Sequence, residues 1–299
     1  MEKNQKVIAA LPAYNEENAI GSVVLKTKKY VDKVIVIDDG SSDDTVEIAR
    51  LAGAQVIKHE GNRGYGVAIK SCFEAAKNVG ADILIIIDAD GQHNPDEIPS
   101  ILAPVLADEA DMVIGSRFLD EVDMPTYRRV GINVLTKMTN IGSKSNVSDS
   151  QSGFRAYSKE AINDLRFNDD GMGVGSEILM NAQELGLRII EVPITCKYNG
   201  LEGSTHNPVK HGFSVLNSIL ILIREKHPLA FFGVPGIVLL ITGIYFGIYT
   251  IEIWMKLGIF APGVAMFTVL LVIMGMLSIS TALTLDFIIK VLRNKEKFN

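Results

Sequence analysis

The sequence predicts an α/β protein with a mostly parallel sheet, followed by a hairpin of two transmembrane helices. In residues 1–120, apolar runs of four or five residues alternate with stretches of helical periodicity. Short strands separated by helices of about ten or more residues form parallel sheets that helices cover on both faces. Two uncharged apolar stretches, 229–251 and 263–285, lie near the carboxyl end. Each is long enough, at about 1.5 Å per helical residue, to cross roughly 30 Å of hydrocarbon.

The first 120 residues contain five predicted strands and four predicted helices. The strands are short and mostly apolar, at 7–11, 34–37, 55–58, 83–87 and 112–114. The helices between them lie near 17–30, 43–52, 65–79 and 95–107. Residues 121–228 are less regular, and there we expect helices near 128–141, 159–165, 175–186 and 208–226 and a strand near 188–192.

The most informative feature is a pair of carboxylates at the end of the fourth strand. Residues 84–94 read as a buried strand that ends in Asp88 and Asp90. Because strand side chains alternate, residues two apart point to the same side and can bind one hard divalent cation. An isolated pair is more simply an acidic turn, but a second acidic turn at 38–42 follows another apolar run. Both turns fall at the carboxyl ends of strands, where open α/β sheets bind their ligands.

Two further segments have residue types that suit a nucleotide. The first strand runs into Pro12, Tyr14 and Glu16, which are suited to flank a base and to accept hydrogen bonds from a ribose. Helix capping is the simpler explanation of the acidic residue taken alone. The segment 62–66, Asn-Arg-Gly-Tyr-Gly, opens a helix that carries Lys70. Backbone N–H groups and cations near a helix N-terminus favour phosphate, and a plain Gly-rich turn is the alternative.

Charge is distributed unevenly along the 299-residue chain. The net charge is −6, and residues 229–299 hold five basic and three acidic residues, which leaves −8 for residues 1–228. A domain this acidic argues against nucleic acid as a partner, because phosphate contacts need a basic face. An anionic substrate would therefore need a metal ion and a few placed cations. Cys72 and Cys196 lack the spacing of a metal site, and we expect both to be reduced packing residues.

Basic residues indicate the orientation of the predicted hairpin. They precede the first span and follow the second, so the positive-inside rule places both ends of the hairpin in the cytoplasm. These residues are Arg224, Lys226, Lys290, Arg293, Lys295 and Lys297. The predicted division is a cytoplasmic domain of residues 1–226 and a multi-pass membrane domain of residues 227–299, with both termini cytoplasmic. We expect no cleaved signal segment, since the apolar run 7–11 is too short.

Taken in order, six motifs resemble those of the inverting family 2 glycosyltransferases, and more narrowly those of polyprenyl-phosphate sugar synthases of the dolichol-phosphate mannose synthase type. The motifs are P-A-Y-N-E-E (12–17), D-D-G-S-S-D-D-T (38–45), N-R-G-Y-G (62–66), D-A-D-G-Q-H (88–93), G-S-R-F (115–118) and D-S-Q-S-G-F-R (149–155). The resemblance covers about the first 210 residues, and several such synthases also have C-terminal membrane helices. It implies a GT-A type nucleotide-binding domain, Mg²⁺ or Mn²⁺ as cofactor, and a nucleotide sugar and a polyprenyl phosphate as partners.

The resemblance also implies roles for individual residues. The implied nucleotide contacts are Pro12, Tyr14, Glu16, Asp39 and Ala89, beside the phosphate candidate Lys70. The implied direct or water-mediated metal shell is Asp88, Asp90 and Gln92. Arg117 would meet the acceptor phosphate, with Arg128 or Arg129 as a further phosphate-binding arginine and lipid-headgroup contact as the alternative for one of that pair. Asp90 and Arg117 are the two implied catalytic residues.

The loop that closes over the diphosphate departs from the family pattern. The mannose synthases have an arginine followed by a Ser-Lys pair, whereas residues 197–207 of this chain read K-Y-N-G-L-E-G-S-T-H-N. Lys197, Ser204 and His206 are candidates for the same work, although they do not map one to one. The donor is therefore left open among GDP-mannose, UDP-glucose and UDP-N-acetylglucosamine. Glu177 is a candidate contact of the donor sugar, and a partner of the helix dipole is the alternative.

The predicted reaction is metal-dependent transfer of a sugar to a polyprenyl phosphate, with inversion at the anomeric carbon. Amphipathic helices near 128–141 and 208–226 have basic flanks and are predicted to lie in the headgroup plane, although core packing explains either one equally well. The resulting product is a lipid-phosphate-linked sugar at the cytoplasmic face of the cell membrane. Whether the chain forms a homo-oligomer is left open.

Other classes of protein share parts of this pattern. A sugar-phosphate nucleotidyltransferase should have a Gly-rich loop after its first strand, where this chain has Pro-Ala-Tyr-Asn. A processive polysaccharide synthase should have Q-x-x-R-W, which is absent from the sequence. A glycosyltransferase with another lipid or polysaccharide acceptor stays open. A non-enzymatic membrane scaffold would have no need of the paired carboxylates, so metal-dependent hydrolysis of a nucleotide sugar separates these classes.

Overall fold

The computed structural model describes residues 5–120, 124–143, 145–197 and 227–296, together with 216–217, 220–221 and 223–224. The chain divides into two units, Met1–Ile219 and Leu220–Asn299. The first unit contains a seven-stranded sheet in the order β3-β2-β1-β4-β6-β5-β7. Its strands are β1 Val7–Ala13, β2 Lys33–Asp38, β3 Gln55–Lys58, β4 Ile83–Ile86, β5 Met112–Ser116, β6 Arg155–Ser158 and β7 Ile189–Pro193.

Seven described helices cover this sheet. They are α1 Ile20–Thr27, α2 Thr45–Leu51, α3 Tyr65–Asn78, α4 Ile98–Leu106, α5 Thr126–Ser143, α6 Lys159–Asp164 and α7 Val174–Glu184. A 3₁₀ turn, Pro95–Glu97, precedes α4, and Asn94 caps it by accepting from the backbone of Asp96. The predicted α/β architecture with a mostly parallel sheet is confirmed. The helix expected near 208–226 lies almost entirely outside the described residues.

Strand β6 is the element that the sequence analysis missed. It lies between β4 and β5 and pairs antiparallel with both, whereas the other neighbours in the sheet are parallel. Its sequence, R-A-Y-S, has no apolar run, because a buried arginine occupies the first position. The sheet is therefore mixed rather than purely parallel.

Alternation along the central strands produces two apolar layers. On β1, Ile8 and Ala10 face the layer that contains α3, α6 and α7, whereas Ala9 and Leu11 face the layer that contains α1, α2 and α4. The same alternation occurs along β2 and β4. Strands buried on both faces need apolar residues at every position, which explains why these strands read as continuous apolar runs. Each large side chain buried in this way contributes about 1.5–3 kcal/mol.

The order of the strands creates a switch point between β1 and β4. The chain passes from β1 to β2 on one side and returns through α3 to β4 on the other side. The register pairs Ala13 with Asp38 and Ala10 with Ile86, so the segments that follow these three strands meet at one edge of the sheet. Crevices at such switch points are the usual ligand sites of open α/β sheets.

The second unit consists of two long apolar helices packed as a hairpin. A π-helical turn, Leu229–Gly233, leads into α8 Val234–Leu257, and α9 covers Pro262–Glu296. The helices contain two stretches long and apolar enough to cross a membrane, with mean hydropathy 2.1 and 2.2. A Cβ on Gly275 would lie 2.8 Å from the carbonyl oxygen of Gly236, so glycine allows the two backbones to approach closely.

The two-layer core predicts contrasting effects for two Leu→Ala variants. Leu84 is fully buried on β4, whereas Leu51 at the end of α2 is 80% exposed. We expect Leu84→Ala to lower the free energy of unfolding by about 2–5 kcal/mol, because it removes buried methyl groups and leaves a cavity. Leu51→Ala should change it by less than about 0.5 kcal/mol. Both free energies of unfolding can be measured by denaturant titration of the full chain in detergent, with far-ultraviolet circular dichroism as the signal. Equal losses of stability in the two variants would contradict the described core.

Candidate functional site

The carboxyl group of Asp88 is enclosed by three segments of the chain. The phenol of Tyr65, at the start of α3, donates a 3.0 Å hydrogen bond to Oδ1. Gly153 lies against the other side, where a Cβ would fall 2.8 Å from the carboxyl carbon. His93 Nε2 is 3.9 Å from Oδ2, and burial, followed by the charge of Arg117, lowers the pKa of this histidine to about 3. The ring is therefore neutral beside the carboxylate.

The turn after Asp88 is fixed by its own backbone. Asp90 Oδ1 accepts a 2.9 Å hydrogen bond from the backbone of Gln92, and Gly91 between them has a φ of +74° that favours glycine. The carbonyl of Gln92 accepts from the backbone of Lys197 at 2.9 Å, and His93 forms an isolated bridge with Cys196. The structure therefore brings the predicted donor-loop residue Lys197 next to the predicted metal shell.

Three carboxyl groups repel one another in this crevice. Burial and then the charge of Asp90 raise the pKa of Asp88 to about 6, and burial also raises the pKa of Asp90. Burial raises the pKa of Glu16 to about 7, with further contributions from the charges of Asp90, Asp88 and Asp43. Glu16 follows β1, so these shifts show that the structure brings the segments after β1 and β4 together. Bringing a cation to such a cluster relieves the repulsion.

Arg117 supplies positive charge to the cluster but is itself paired. Its Nε and Nη2 donate to the two carboxylate oxygens of Asp149 at 2.6 and 2.9 Å. Asp149 is fully buried, and the arginine holds the pKa of its carboxyl group below the usual range despite burial. Glu191 of β7 accepts from the backbone of Asp149, which fixes the segment further. This bidentate pair orients Arg117 at the edge of the crevice.

The two consecutive arginines of α5 differ in their surroundings. Arg128 is half-buried, and its charge lowers the pKa of Asp90 against the effect of burial. Arg129 is exposed. Both backbone N–H groups donate to the carbonyl of Pro125 in the first turn of the helix. Of the two, the structure therefore places Arg128 on the side of the carboxylates.

Arg155 is a buried cation behind Asp88. Its guanidinium donates to the backbone carbonyls of Ser152, Gly175 and Ser150 at 2.8, 3.0 and 2.6 Å, and the residue is 3% exposed. Its positive charge offsets a small part of the rise that burial causes in the pKa of Asp88. Because these three hydrogen bonds all go to backbone carbonyls, Arg155 holds the segments around 150–152 and Gly175 together.

The oxygen-rich crevice fits a hard divalent cation. Asp88 and Asp90 are oxygen donors whose pKa values are raised by burial, which a bound cation would offset. Among the described residues, no group of three or more His, Cys, Asp or Glu side chains is arranged as a complete metal shell. Mg²⁺ usually binds through one or two carboxylates, waters and substrate phosphates rather than a full protein cage. The residues present therefore fit a cation that binds together with a diphosphate.

Asp39, a predicted nucleoside contact, holds the start of α3. Its carboxylate accepts from the backbone of Arg63 at 3.0 Å and of Gly64 at 2.8 Å. His59 Nδ1 lies 2.7 Å from the same carboxylate, and His59 Nε2 lies 2.9 Å from Ser71 Oγ within α3. Asp39 is 4% exposed. The described contacts give it a structural role, and its contact with a nucleoside stays a prediction.

Lys70 and Glu177 hold the loop 168–171. Lys70 Nζ donates to the carbonyl of Asn168 at 2.8 Å and pairs with Asp170 at 2.5 Å. Glu177 accepts from the backbone of Asn168 at 2.9 Å and of Asp169 at 2.7 Å. Both side chains have protein partners in the structure. Their predicted contacts with phosphate and donor sugar therefore stay predictions beside an evident structural role.

The remaining nucleotide candidates surround the end of β1. Pro12 is buried within the strand, Tyr14 is half-buried, and the backbone of Glu16 donates to Thr45 Oγ1 at 2.7 Å. This hydrogen bond joins the segments after β1 and β2. Ala89 is 1% exposed and packs in the apolar layer with α1 and α4, so its side chain faces the core. Its predicted contact with a nucleotide stays untested.

Some parts of the site were not foreseen, and others cannot be placed. Ser204 and His206 lie outside the described residues. Tyr65, Gly153 and Arg155 surround Asp88, yet the sequence analysis gave the first two no role. Tyr65 and Gly153 both occur inside the quoted motifs, and that location was the only signal of their role in the sequence. Which side chain reaches a carboxylate depends on packing between distant segments.

Relatives and solved structures share this architecture. The sequence matches glycosyl transferase family 2 over residues 9–166. A UDP-N-acetylglucosamine–dolichyl-phosphate N-acetylglucosaminyltransferase from Methanococcus voltae is 35% identical over 240 residues, covering 72% of this chain and 95% of that protein. A dolichyl-phosphate hexose transferase from Haloferax volcanii is 32% identical over 217 residues, covering 71% of this chain and 92% of that protein.

A similar fold occurs in glucosyl-3-phosphoglycerate synthase from Mycobacterium tuberculosis. Its crystal structure in complex with Mn²⁺ and UDP-glucose superposes with a TM-score of 0.60 at 24% identity, covering 75% of this chain and 79% of that protein. This likeness establishes the GT-A-like α/β fold of the first unit.

The contact between α3 and the loop 168–171 predicts a local effect of one glycine substitution. A Cβ on Gly66 would lie 2.8 Å from Asp170 Cα, and the backbone of Gly66 donates to the Asp170 carbonyl. We expect Gly66→Ala to displace this loop and to accelerate amide hydrogen exchange at 168–171. Gly61→Ala is the matched control, because a Cβ there meets nothing within 4 Å. Exchange measured by mass spectrometry should separate the two variants, and equal protection of the loop in both would refute the described packing.

Proposed function

The chain belongs to glycosyl transferase family 2, and we propose that it transfers a sugar from a nucleotide sugar to a polyprenyl phosphate at the cytoplasmic face of a membrane. The proposal depends most on the cluster of Asp88, Asp90 and Glu16 at the switch point between β1 and β4. Repelling carboxyl groups in a crevice of this kind suit a divalent cation and a diphosphate, which are the parts that a nucleotide-sugar donor requires.

The acceptor phosphate needs positive charge and no strong base. A lipid monophosphate oxygen is already anionic near neutral pH, so it can attack the anomeric carbon without losing a proton. Arg117, held by Asp149, and Arg128, on the side of Asp90, are placed to bind and orient that phosphate. Positioning of the oxygen behind the anomeric carbon then supplies much of the rate enhancement. A single in-line displacement inverts the anomeric centre, so an α-linked donor gives a β-linked product.

Mg²⁺ or Mn²⁺ would be held by Asp88 and Asp90, with Gln92 contributing directly or through water. When bound, the cation stabilises the negative charge that develops on the departing nucleoside diphosphate. Through a cation bound to them, these carboxylates would keep the donor diphosphate at the strand ends, and Lys197 extends from the segment paired with Gln92. The half-buried Tyr14 would contact the nucleoside beyond the end of β1, whereas Pro12, Asp39 and Ala89 are buried and their contacts with it stay predictions.

The relatives support a lipid-phosphate acceptor. Two proteins that this chain covers almost completely are named for transfer to dolichyl phosphate, one of them with UDP-N-acetylglucosamine and the other with a hexose. The proposal therefore keeps GDP-mannose, UDP-glucose and UDP-N-acetylglucosamine as donors and a polyprenyl phosphate as acceptor. The donor loop with Ser204 and His206 is the part of the chain that would distinguish these donors.

The apolar helices suit an enzyme whose acceptor lies in a bilayer. In the proposal, α8 and α9 cross the membrane within residues 227–299 and keep residues 1–226 at its cytoplasmic face. Helix α5 exposes Val130, Val134 and Ile141, which are 57%, 48% and 66% accessible. Exposed apolar residues beside Arg129 on one helix suit the headgroup region of a membrane.

The reaction itself is tested with the purified full chain. A panel of labelled nucleotide sugars is incubated with polyprenyl phosphates, with and without a chelator. We expect one donor to give a lipid-phosphate-linked sugar only when Mg²⁺ or Mn²⁺ is present. Asp88→Asn and Asp90→Asn should each lower the rate by roughly 100-fold or more, since charge stabilisation by the metal is worth several kcal/mol. Full activity of either variant in chelator would disprove the proposal.

The two arginines of α5 give a matched comparison for the acceptor. Arg128→Ala should raise the KM for the polyprenyl phosphate about tenfold, because it removes a charge-assisted contact worth about 1.5–3 kcal/mol. Arg129→Ala should change that KM by less than about threefold, as expected for an exposed charge. Initial rates at varied acceptor concentration measure both constants. A larger effect of Arg129→Ala would show that the acceptor approaches from the other side of the helix.

A further inference from the structure

We propose that Tyr65 is a positioning residue that orients the carboxylate of Asp88 for the divalent cation. The inference rests on the proposed function and goes beyond it, because Tyr65 has no assigned role there. A tyrosine has no charge with which to bind a diphosphate, and Tyr65 is the first residue of α3. Its hydroxyl donates a hydrogen bond to Asp88 Oδ1 at 3.0 Å.

The carboxylate of Asp88 is bracketed from two sides. Tyr65 donates to Oδ1, and the backbone of Gly153 occupies the opposite side so closely that a Cβ would be 2.8 Å from the carboxyl carbon. The side chain of Asp88 is still 28% exposed, so part of its carboxylate faces the crevice. The hydroxyl of Tyr65 and the close approach of Gly153 together restrict the rotation of the carboxylate.

The backbone that carries Tyr65 is fixed independently of Asp88. Arg63 and Gly64, the two preceding residues, donate their N–H groups to the buried carboxylate of Asp39. The ring of His59 is hydrogen-bonded to the same carboxylate and, through its other nitrogen, to Ser71 further along α3. The start of α3 is therefore tied to the segment after β2, and Tyr65 projects from a rigid base.

Packing alone does not place the Tyr65 ring. One side of the ring packs against the apolar layer that contains α3, and the ring also lines a small pocket of about 40 Å³ beside Gln151, Met172 and Ile178. The hydrogen bond to Asp88 adds a polar restraint to this packing and fixes the direction of the hydroxyl group. Partners of this kind around a metal-binding carboxylate orient the ligand, and their loss typically costs 10–100-fold in metal affinity.

The test measures Mn²⁺ binding to the full chain in detergent, with UDP or GDP present, from the change that the protein causes in the electron paramagnetic resonance spectrum of Mn²⁺ in the same nucleotide solution. We expect Tyr65→Phe to raise the Mn²⁺ dissociation constant at least about tenfold. Tyr30→Phe is the matched control, because Tyr30 donates a 2.9 Å hydrogen bond to the exposed Asp96 and the substitution is identical. That control should bind Mn²⁺ as the unaltered protein does.

A second pair of variants tests whether Tyr65 acts through Asp88. In the Asp88→Asn background, Tyr65→Phe should produce no further loss of Mn²⁺ affinity, since the group that it orients is gone. An unchanged dissociation constant for Tyr65→Phe, or an equal loss with Tyr30→Phe or in the Asp88→Asn background, overturns this inference while the proposed function stands. Failure of the unaltered protein to bind Mn²⁺ even with UDP or GDP present overturns both the inference and the cation in the proposed function.

Discussion

Repulsion among carboxyl groups at the β1–β4 switch point is the constraint on which the site depends. Asp88, Asp90 and Glu16 are brought together by parallel strands whose carboxyl ends meet, and burial strengthens their mutual effect. Such a cluster is costly unless positive charge compensates it. The protein supplies part of that charge through Arg117, Arg128 and Arg155, and a divalent cation with its diphosphate would supply the rest.

The strands were predictable from the sequence where both faces of the strand are buried. Four of the five strands of the first 120 residues are buried along almost their whole length, so each of these reads as an apolar run, whereas the edge strand β3 is only partly buried. All five were located to within a few residues. Strand β6 has Arg155 at its first position, and its burial depends on carbonyls contributed by 150–152 and by Gly175. No local pattern carries that information. The relation to family 2 glycosyltransferases, inferred from six motifs, is confirmed.

The site was predictable in its oxygen donors and less so in its supports. The spacing of Asp88 and Asp90 after a strand indicates them directly in the sequence. Tyr65 and Gly153 contact Asp88 from 23 and 65 positions away in the chain. Lys70 and Glu177 have structural contacts that their residue types do not indicate, and their predicted ligand contacts stay predictions. Their residue types suggest phosphate and sugar, but in the structure both hold the loop 168–171, a role that depends on where that loop folds.

The most direct test of the account is the position of a bound cation. Crystals of the full chain grown with Mn²⁺ and a nucleoside diphosphate, measured at the manganese absorption edge, locate the metal by its anomalous scattering. The account predicts one strong peak within about 2.5 Å of carboxylate oxygens of Asp88 or Asp90 and of the diphosphate. A diphosphate bound at the strand ends with no metal peak at these carboxylates would contradict it.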